Sequence, residues 1–131
     1  MQHMITMVLV SDMDRSVAFY RDMLGLKLRF DTPDWSEFDV DGNTLALHGG
    51  GKVPDREAAG KAAGSATIGF GVKDLDAAHE SLVQKGVRFT MPPTTLEQEG
   101  IRLAALHDPD GFPISLVQTI EKAAKAHPDP S

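Results

Sequence analysis

The chain of 131 residues contains no cysteine. That removes thiol catalysis, thiolate metal sites and disulfides together. Aromatic side chains are scarce, at 6%, with a single tryptophan, Trp35, and a single tyrosine, Tyr20. No apolar run approaches the roughly 18 residues of a membrane span. The opening stretch Met1–Asp12 has neither a basic segment nor a small-residue cleavage site, so no signal peptide is read. Positive charge is also short: 13 basic against 19 acidic residues give a formal net charge of −6. The Lys and Arg residues are scattered, whereas nucleic-acid binding needs them clustered against phosphates. An acidic balance attracts a cationic small molecule and equally serves solubility. These absences suit a cytoplasmic protein with no nucleic-acid and no membrane partner. The length fits one domain, and a chain this long needs no disulfide or metal to fold.

What is present is an internal repeat. Val10-Ser11-Asp12-Met13-Asp14 matches Val72-Lys73-Asp74-Leu75-Asp76 at an offset of 62 residues. Gly25-Leu26-Lys27-Leu28 matches Gly86-Val87-Arg88-Phe89 at an offset of 61. Asp41-Gly42 with Leu45-Ala46-Leu47 matches Asp110-Gly111 with Ile114-Ser115-Leu116 at an offset of 69. Three blocks in one order predict two copies of one unit, about 3–48 and about 65–118, in a single domain.

Each copy starts with a short apolar strand, Ile5–Val10 or Thr67–Val72. Asp12 or Asp74 then offers a side-chain oxygen as helix N-cap. Met13, Val17, Tyr20 and Leu24 make one apolar stripe on the first helix, and Leu75, Ala78 and Leu82 make one on the second. Gly25 and Gly86 follow the last turns, where a left-handed residue is wanted. Three strands follow in each half: Lys27–Asp31, Trp35–Val40 and Thr44–His48, then Val87–Met91, Ile101–His107 and Pro113–Gln118. Pro92-Pro93-Thr94 is read as a break after the first of the second set, and Asp108–Gly111 as turn chemistry. The order is β-α-β-β-β, twice, an α+β class. The segment 49–65 reads as a linker in which 55–63 could form a short helix, and 121–131 as a frayed tail.

Val10–Ser16, Phe19-Tyr20, Leu24–Leu26, Val72–Asp76 and His107–Val117 together resemble the vicinal oxygen chelate superfamily, the glyoxalase, bleomycin-resistance and extradiol-dioxygenase group. The resemblance spans about residues 4–118 and implies two tandem βαβββ modules forming a curved mixed sheet, often completed by a homodimer. Metal-using members carry His or Gln on the first strand of each half and usually Glu on the last. The matching positions here are Ile5 and Thr67, and Ala46 and Ser115. Isoleucine and alanine have no lone pair to offer, and neutral hydroxyls are weak ligands for a divalent cation. No cofactor is therefore expected, unless the strand register is misplaced. His3 and His48 sit two residues from Ile5 and Ala46. On parallel strands those shifts, roughly 6–7 Å each, run in opposite directions.

Other residues carry candidate roles. His48 ends a strand at the rim of the expected cup, as a ligand contact, a general base or simply a strand-end histidine. Trp35 shares a strand face with Glu37 and Asp39, an aromatic plate beside carboxylates suited to a flat or cationic ligand. The alternative turns Ser36, Phe38 and Val40 to the cup. Met7 and Leu9 share a face with Ile5. Gly69 and Gly71 share one with Thr67 and leave room for a ligand or for a neighbouring backbone. His107 is expected to order the turn that follows it, and His79 to face solvent. Gly49-Gly50-Gly51-Lys52 lacks the spacing of a phosphate loop.

The resulting expectation is a metal-free binder of a small organic molecule, cationic or aromatic, with drug or antibiotic sequestration as the implied role. Its ligand-binding residues are Ile5, Met7, Trp35, Ala46, His48, Thr67 and Ser115. The alternative is a glyoxalase-like lyase or isomerase, or a dioxygenase, using a displaced metal or a His48/Glu37 acid–base pair. A third reading is a regulatory or interaction module with a self-filled cup.

Overall fold

A computed structural model describes residues 2–50 and 67–120. They form two compact units. The first holds the N-terminal module together with the turn Asp108–Phe112, and the second holds the rest of the C-terminal module. The linker helix and the frayed tail expected from the sequence lie outside the described residues. No helix among the described residues is long and apolar enough to cross a membrane.

In the first unit β1 (Ile5–Leu9) leads to α1 (Met13–Ala18), a π-helical turn (Phe19–Met23), β2 (Lys27–Phe30), β3 (Trp35–Val40) and β4 (Asn43–His48). The strand order is β1-β4-β3-β2, with β1 parallel to β4 and the other pairs antiparallel. Asp12 caps α1 by accepting from the Arg15 N–H at 3.1 Å. Gly25 takes φ +73° just past the helical segment, a conformation that costs an L side chain roughly 1–2 kcal/mol. Val17 and Tyr20 are buried as the stripe requires. The end of the helix differs from the 3.6-residue expectation. The Leu24 N–H donates to the Phe19 carbonyl at 3.1 Å, an i→i+5 bond that widens the last turn.

One face of this sheet packs on the helix. Val8, Leu45, Leu47 and Phe38 are buried there, and the Tyr20 ring stands 6.0 Å from that of Phe38. The Tyr20 hydroxyl donates to Asp108 Oδ2 at 2.8 Å in buried surroundings. Asp108 Oδ1 accepts from the Asp110 and Phe112 N–H groups, so Asp108, rather than the exposed His107, orders the turn. Arg15 and Ser11 hold Asp110 from the helix side.

The second unit repeats the plan with β5 (Ile68–Gly71), α2 (Leu75–Gln84), β6 (Phe89–Leu96), β7 (Ile101–His107) and β8 (Pro113–Thr119), in the order β5-β8-β7-β6. Asp74 caps α2 through the Ala77 N–H, and Gly86 ends it at φ +91°. Ala104, Leu106, Ile114 and Leu116 form the buried face with Leu75 and Leu82. Two expectations are corrected. The prolines do not end the strand: β6 runs through Pro92-Pro93 to Leu96, with register shifts between Phe89 and Met91 and between Met91 and Thr94. It is an edge strand, and both prolines fall in the irregularity between the paired residues Met91 and Thr94, where they interrupt no regular ladder pair. His79 does not face open solvent; its ring packs edge-on against Phe89 at 4.5 Å. The second unit thus carries the same β-α-β-β-β order as the first.

Candidate functional site

Cross-strand register fixes which side chains share the face of the first sheet turned away from α1. Directly paired residues project to the same side. Ile5, Met7 and Leu9 on β1 pair with Thr44, Ala46 and His48 on β4, which pair in turn with Asp39, Glu37 and Trp35 on β3. Trp35, Glu37 and Asp39 therefore lie on this face, and Ser36 and Phe38 lie buried on the helix side. Of the two orientations open from the sequence, the structure takes the one with the tryptophan outside the core.

The residues form a small polar network on an apolar floor. Trp35 Nε1 donates to Glu37 Oε2 at 2.8 Å, and its ring lies 5.7 Å from that of His48 at an interplanar angle of 57°. Arg29 Nη1 donates to Glu37 Oε1 at 2.9 Å and to Thr44 Oγ1 at 3.3 Å, while Nη2 lies 3.7 Å from Asp39 Oδ1. The indole N–H bond is the largest influence holding the Glu37 carboxyl below the usual carboxylate range. Burial opposes it, and Arg29 and then His3 add to it. Ala46 is fully buried beneath this layer, whereas Ile5 and Met7 are about half exposed, at 48% and 54%.

The sequence groups Trp35 with Glu37 and Asp39, Ala46 with His48, and Met7 with Ile5 on shared strand faces; the cross-strand register brings these groups to one face and adds Thr44, and the side-chain contacts add Arg29. Leu28 pairs with Phe38 and Phe30 with Glu37, so Arg29 is the extra residue of a β-bulge. Bulges re-aim side chains next to functional sites. The only available signal was Arg29 standing opposite a carboxylate-bearing strand. Glu37 and His48 do not contact each other as an acid–base pair, because the Glu37 carboxylate turns to the indole between them. Thr67 and Ser115 belong to the second unit. Thr67 precedes β5, and Ser115 is flanked by Gly69 and Ala105 on the face away from α2. A Cβ at Gly71 would meet nothing within 4 Å among the described residues, and one at Gly69 would meet only Val117 at an ordinary 3.6 Å. Among the described residues no close backbone approach demands either glycine.

The donor set does not fit a divalent metal. Ile5 and Ala46 offer no electron pair, and Leu9, not His3, stands opposite His48 on the parallel strand. Among the described residues no three His, Asp or Glu side chains converge as metal ligands would. A separate hollow of about 300 Å³ is lined by Asp12, Met13, Asp14, Asp31, Thr32 and Pro33. Asp12 and Asp31 are already engaged there, with the Arg15 N–H and the Ser36 hydroxyl.

Paired βαβββ units, each a four-stranded mixed sheet backed by a helix, define a class of small α+β proteins. The model of the Glyoxalase/Bleomycin resistance protein/Dioxygenase superfamily matches residues 2–116, and the chain belongs to that superfamily. It is 32% identical to a probable lactoylglutathione lyase of Synechocystis, over 89% of this chain and 95% of that one. It is 29% identical to a lactoylglutathione lyase of Haemophilus influenzae, over 90% and 93%. A crystal structure of a glyoxalase/bleomycin resistance protein/dioxygenase from Alicyclobacillus acidocaldarius shares the fold, with a TM-score of 0.68 at 18% identity over 96% of each chain.

Proposed function

We propose that the protein binds a small organic molecule on the Trp35 face of its first sheet, without a metal. One observation carries this reading. Where metal-using relatives present donor side chains, this chain presents Ile5 and Ala46, and beside them stands a tryptophan oriented by hydrogen bonding. A flat ring gains from stacking on an indole, and a cation gains further from its π face. Two carboxylates, Glu37 and Asp39, face one guanidinium, Arg29, which leaves the patch formally negative. The ligand class that suits it is aromatic and cationic, and sequestration of such a drug or antibiotic needs no catalytic group. A cytoplasmic location and a homodimer belong to the same proposal. Half-exposed Ile5 and Met7 supply apolar area for ligand or partner. Sedimentation as a monomer at micromolar concentration would contradict the dimer.

Titration with proflavine, a planar aromatic cation, tests the binding reading. A saturable change in Trp35 emission and a raised Tm are expected, both unchanged after dialysis against EDTA. Absence of both effects across a panel of aromatic cations would overturn it. The names of the relatives support a second reading, a glyoxalase-like lyase in which His48 moves a proton. Lactoylglutathione lyase turnover, with or without added nickel or zinc, that is lost in His48→Ala would establish that reading instead.

A further inference from the structure

Both oxygens of the Glu37 carboxylate are engaged, by two different side chains. Oε2 accepts from the indole of Trp35 at 2.8 Å and Oε1 from the guanidinium of Arg29 at 2.9 Å. Arg29 is itself restrained, by Thr44 Oγ1 at 3.3 Å and by Asp39 at 3.7 Å. The chain of contacts thus starts at an anchored cation, passes through Glu37 and ends on the indole. His48 packs against the same ring, 5.7 Å between centroids. A tryptophan side chain turns about two bonds. A hydrogen bond at its N–H to an acceptor that is itself fixed, together with a neighbouring tilted ring, removes most of that freedom.

A general base needs a lone pair within reach of substrate and a pKa near the working pH. Each oxygen of Glu37 already accepts a hydrogen bond from a neighbouring side chain, and its acidity is displaced downward, away from neutrality. Its chemistry is that of a fixed acceptor. We propose that Glu37 is a positioning residue: by bridging Arg29 and Trp35 it sets the plane of the indole, so that this sheet face accepts a flat ring in one orientation. The role in selection rests on the ligand reading above, whereas the role in holding the indole does not. A ring already held in its bound orientation costs less to order on binding. Removing the holder is expected to weaken a stacked ligand by roughly threefold to tenfold.

Trp35 is the only tryptophan, so selectively excited fluorescence reports on this residue alone. The test compares wild type, Glu37→Ala and Glu37→Gln by tryptophan anisotropy decay and by calorimetric titration with proflavine. Wild type is expected to show a restrained indole. Glu37→Ala should add a fast local motion and raise the proflavine Kd threefold to tenfold. Glu37→Gln keeps an amide oxygen for the indole N–H and should restore most of the restraint. Arg29→Met leaves Glu37 without its second anchor and should loosen Trp35 in the same sense, which keeps the test open if Glu37→Ala fails to fold. Unchanged indole motion in Glu37→Ala and Arg29→Met, or a Gln variant as loose as the Ala variant, overturns the inference. Loosening of Trp35 in the variants with no proflavine binding to any of the proteins sinks the ligand reading and leaves the positioning role standing.

Discussion

Glu37 and Tyr20 show how single side chains set the local energetics. Unfolded, Glu37 titrates near its ordinary value of about 4.3. Folded, it titrates lower, because the Trp35 N–H and Arg29 stabilise its charged form. Its contribution to stability is therefore complete above the ordinary value and is lost as pH falls through the lowered one. Denaturant unfolding of wild type and Glu37→Gln across pH is expected to show a gap at neutrality that closes in acid. A gap that does not change on acidification would contradict the ionised, doubly bonded carboxylate. Tyr20→Phe removes the donor to buried Asp108, and an orphaned buried acceptor costs about 1–3 kcal/mol. Urea unfolding checks that loss. At this scale the sequence was partly legible. Strand alternation put Trp35 beside Glu37 and Asp39, since period 2 needs only the strand's position. It could not show Arg29 closing the network, because a bulge breaks that period, nor Asp108 rather than His107 governing the turn.

Elements differ in what enforces them. Capped helices with glycine stops were readable, because Asp12, Asp74, Gly25 and Gly86 act through local backbone geometry. The π-helical turn after Ala18 was not, since an apolar stripe at Val17, Tyr20 and Leu24 suits either winding. The path of β6 through Pro92-Pro93 was not, since proline's cost depends on whether a strand is at an edge, and edges are a property of topology. Helix α1 also buries Ser16 fully, with no hydrogen-bond partner for its hydroxyl among the described residues. Ser16→Ala is therefore expected to stabilise the protein by about 1 kcal/mol, through the relieved hydroxyl and better helix propensity. A fall in Tm on thermal unfolding would show that the hydroxyl has a partner. The two kinds of glycine make a matched pair. Gly86→Ala forces a left-handed Cβ and is expected to cost about 1–2 kcal/mol. Gly71→Ala has space and an ordinary φ, so the same unfolding experiment should find it neutral or slightly stabilising.

The whole molecule is a duplicated unit whose two copies have diverged in chemistry. Duplication was legible because three motif blocks recur in order, and the observed strand orders β1-β4-β3-β2 and β5-β8-β7-β6 repeat it. In the first unit the face away from the helix carries Trp35, Glu37, Arg29 and His48. In the second, the positions flanking Ser115 on the equivalent face are Gly69 and Ala105. Ligand identity was not legible, since it depends on the shape of a surface that short motifs do not encode. What the sequence does encode is that Ile5 and Ala46 carry no donor atoms, and the proposal of binding without a metal rests on it. The most direct test is elemental analysis by mass spectrometry of tag-free protein purified without chelator. Far less than one equivalent of nickel, zinc, manganese or iron per chain is expected. One stoichiometric equivalent, lost on replacing His48, would contradict it.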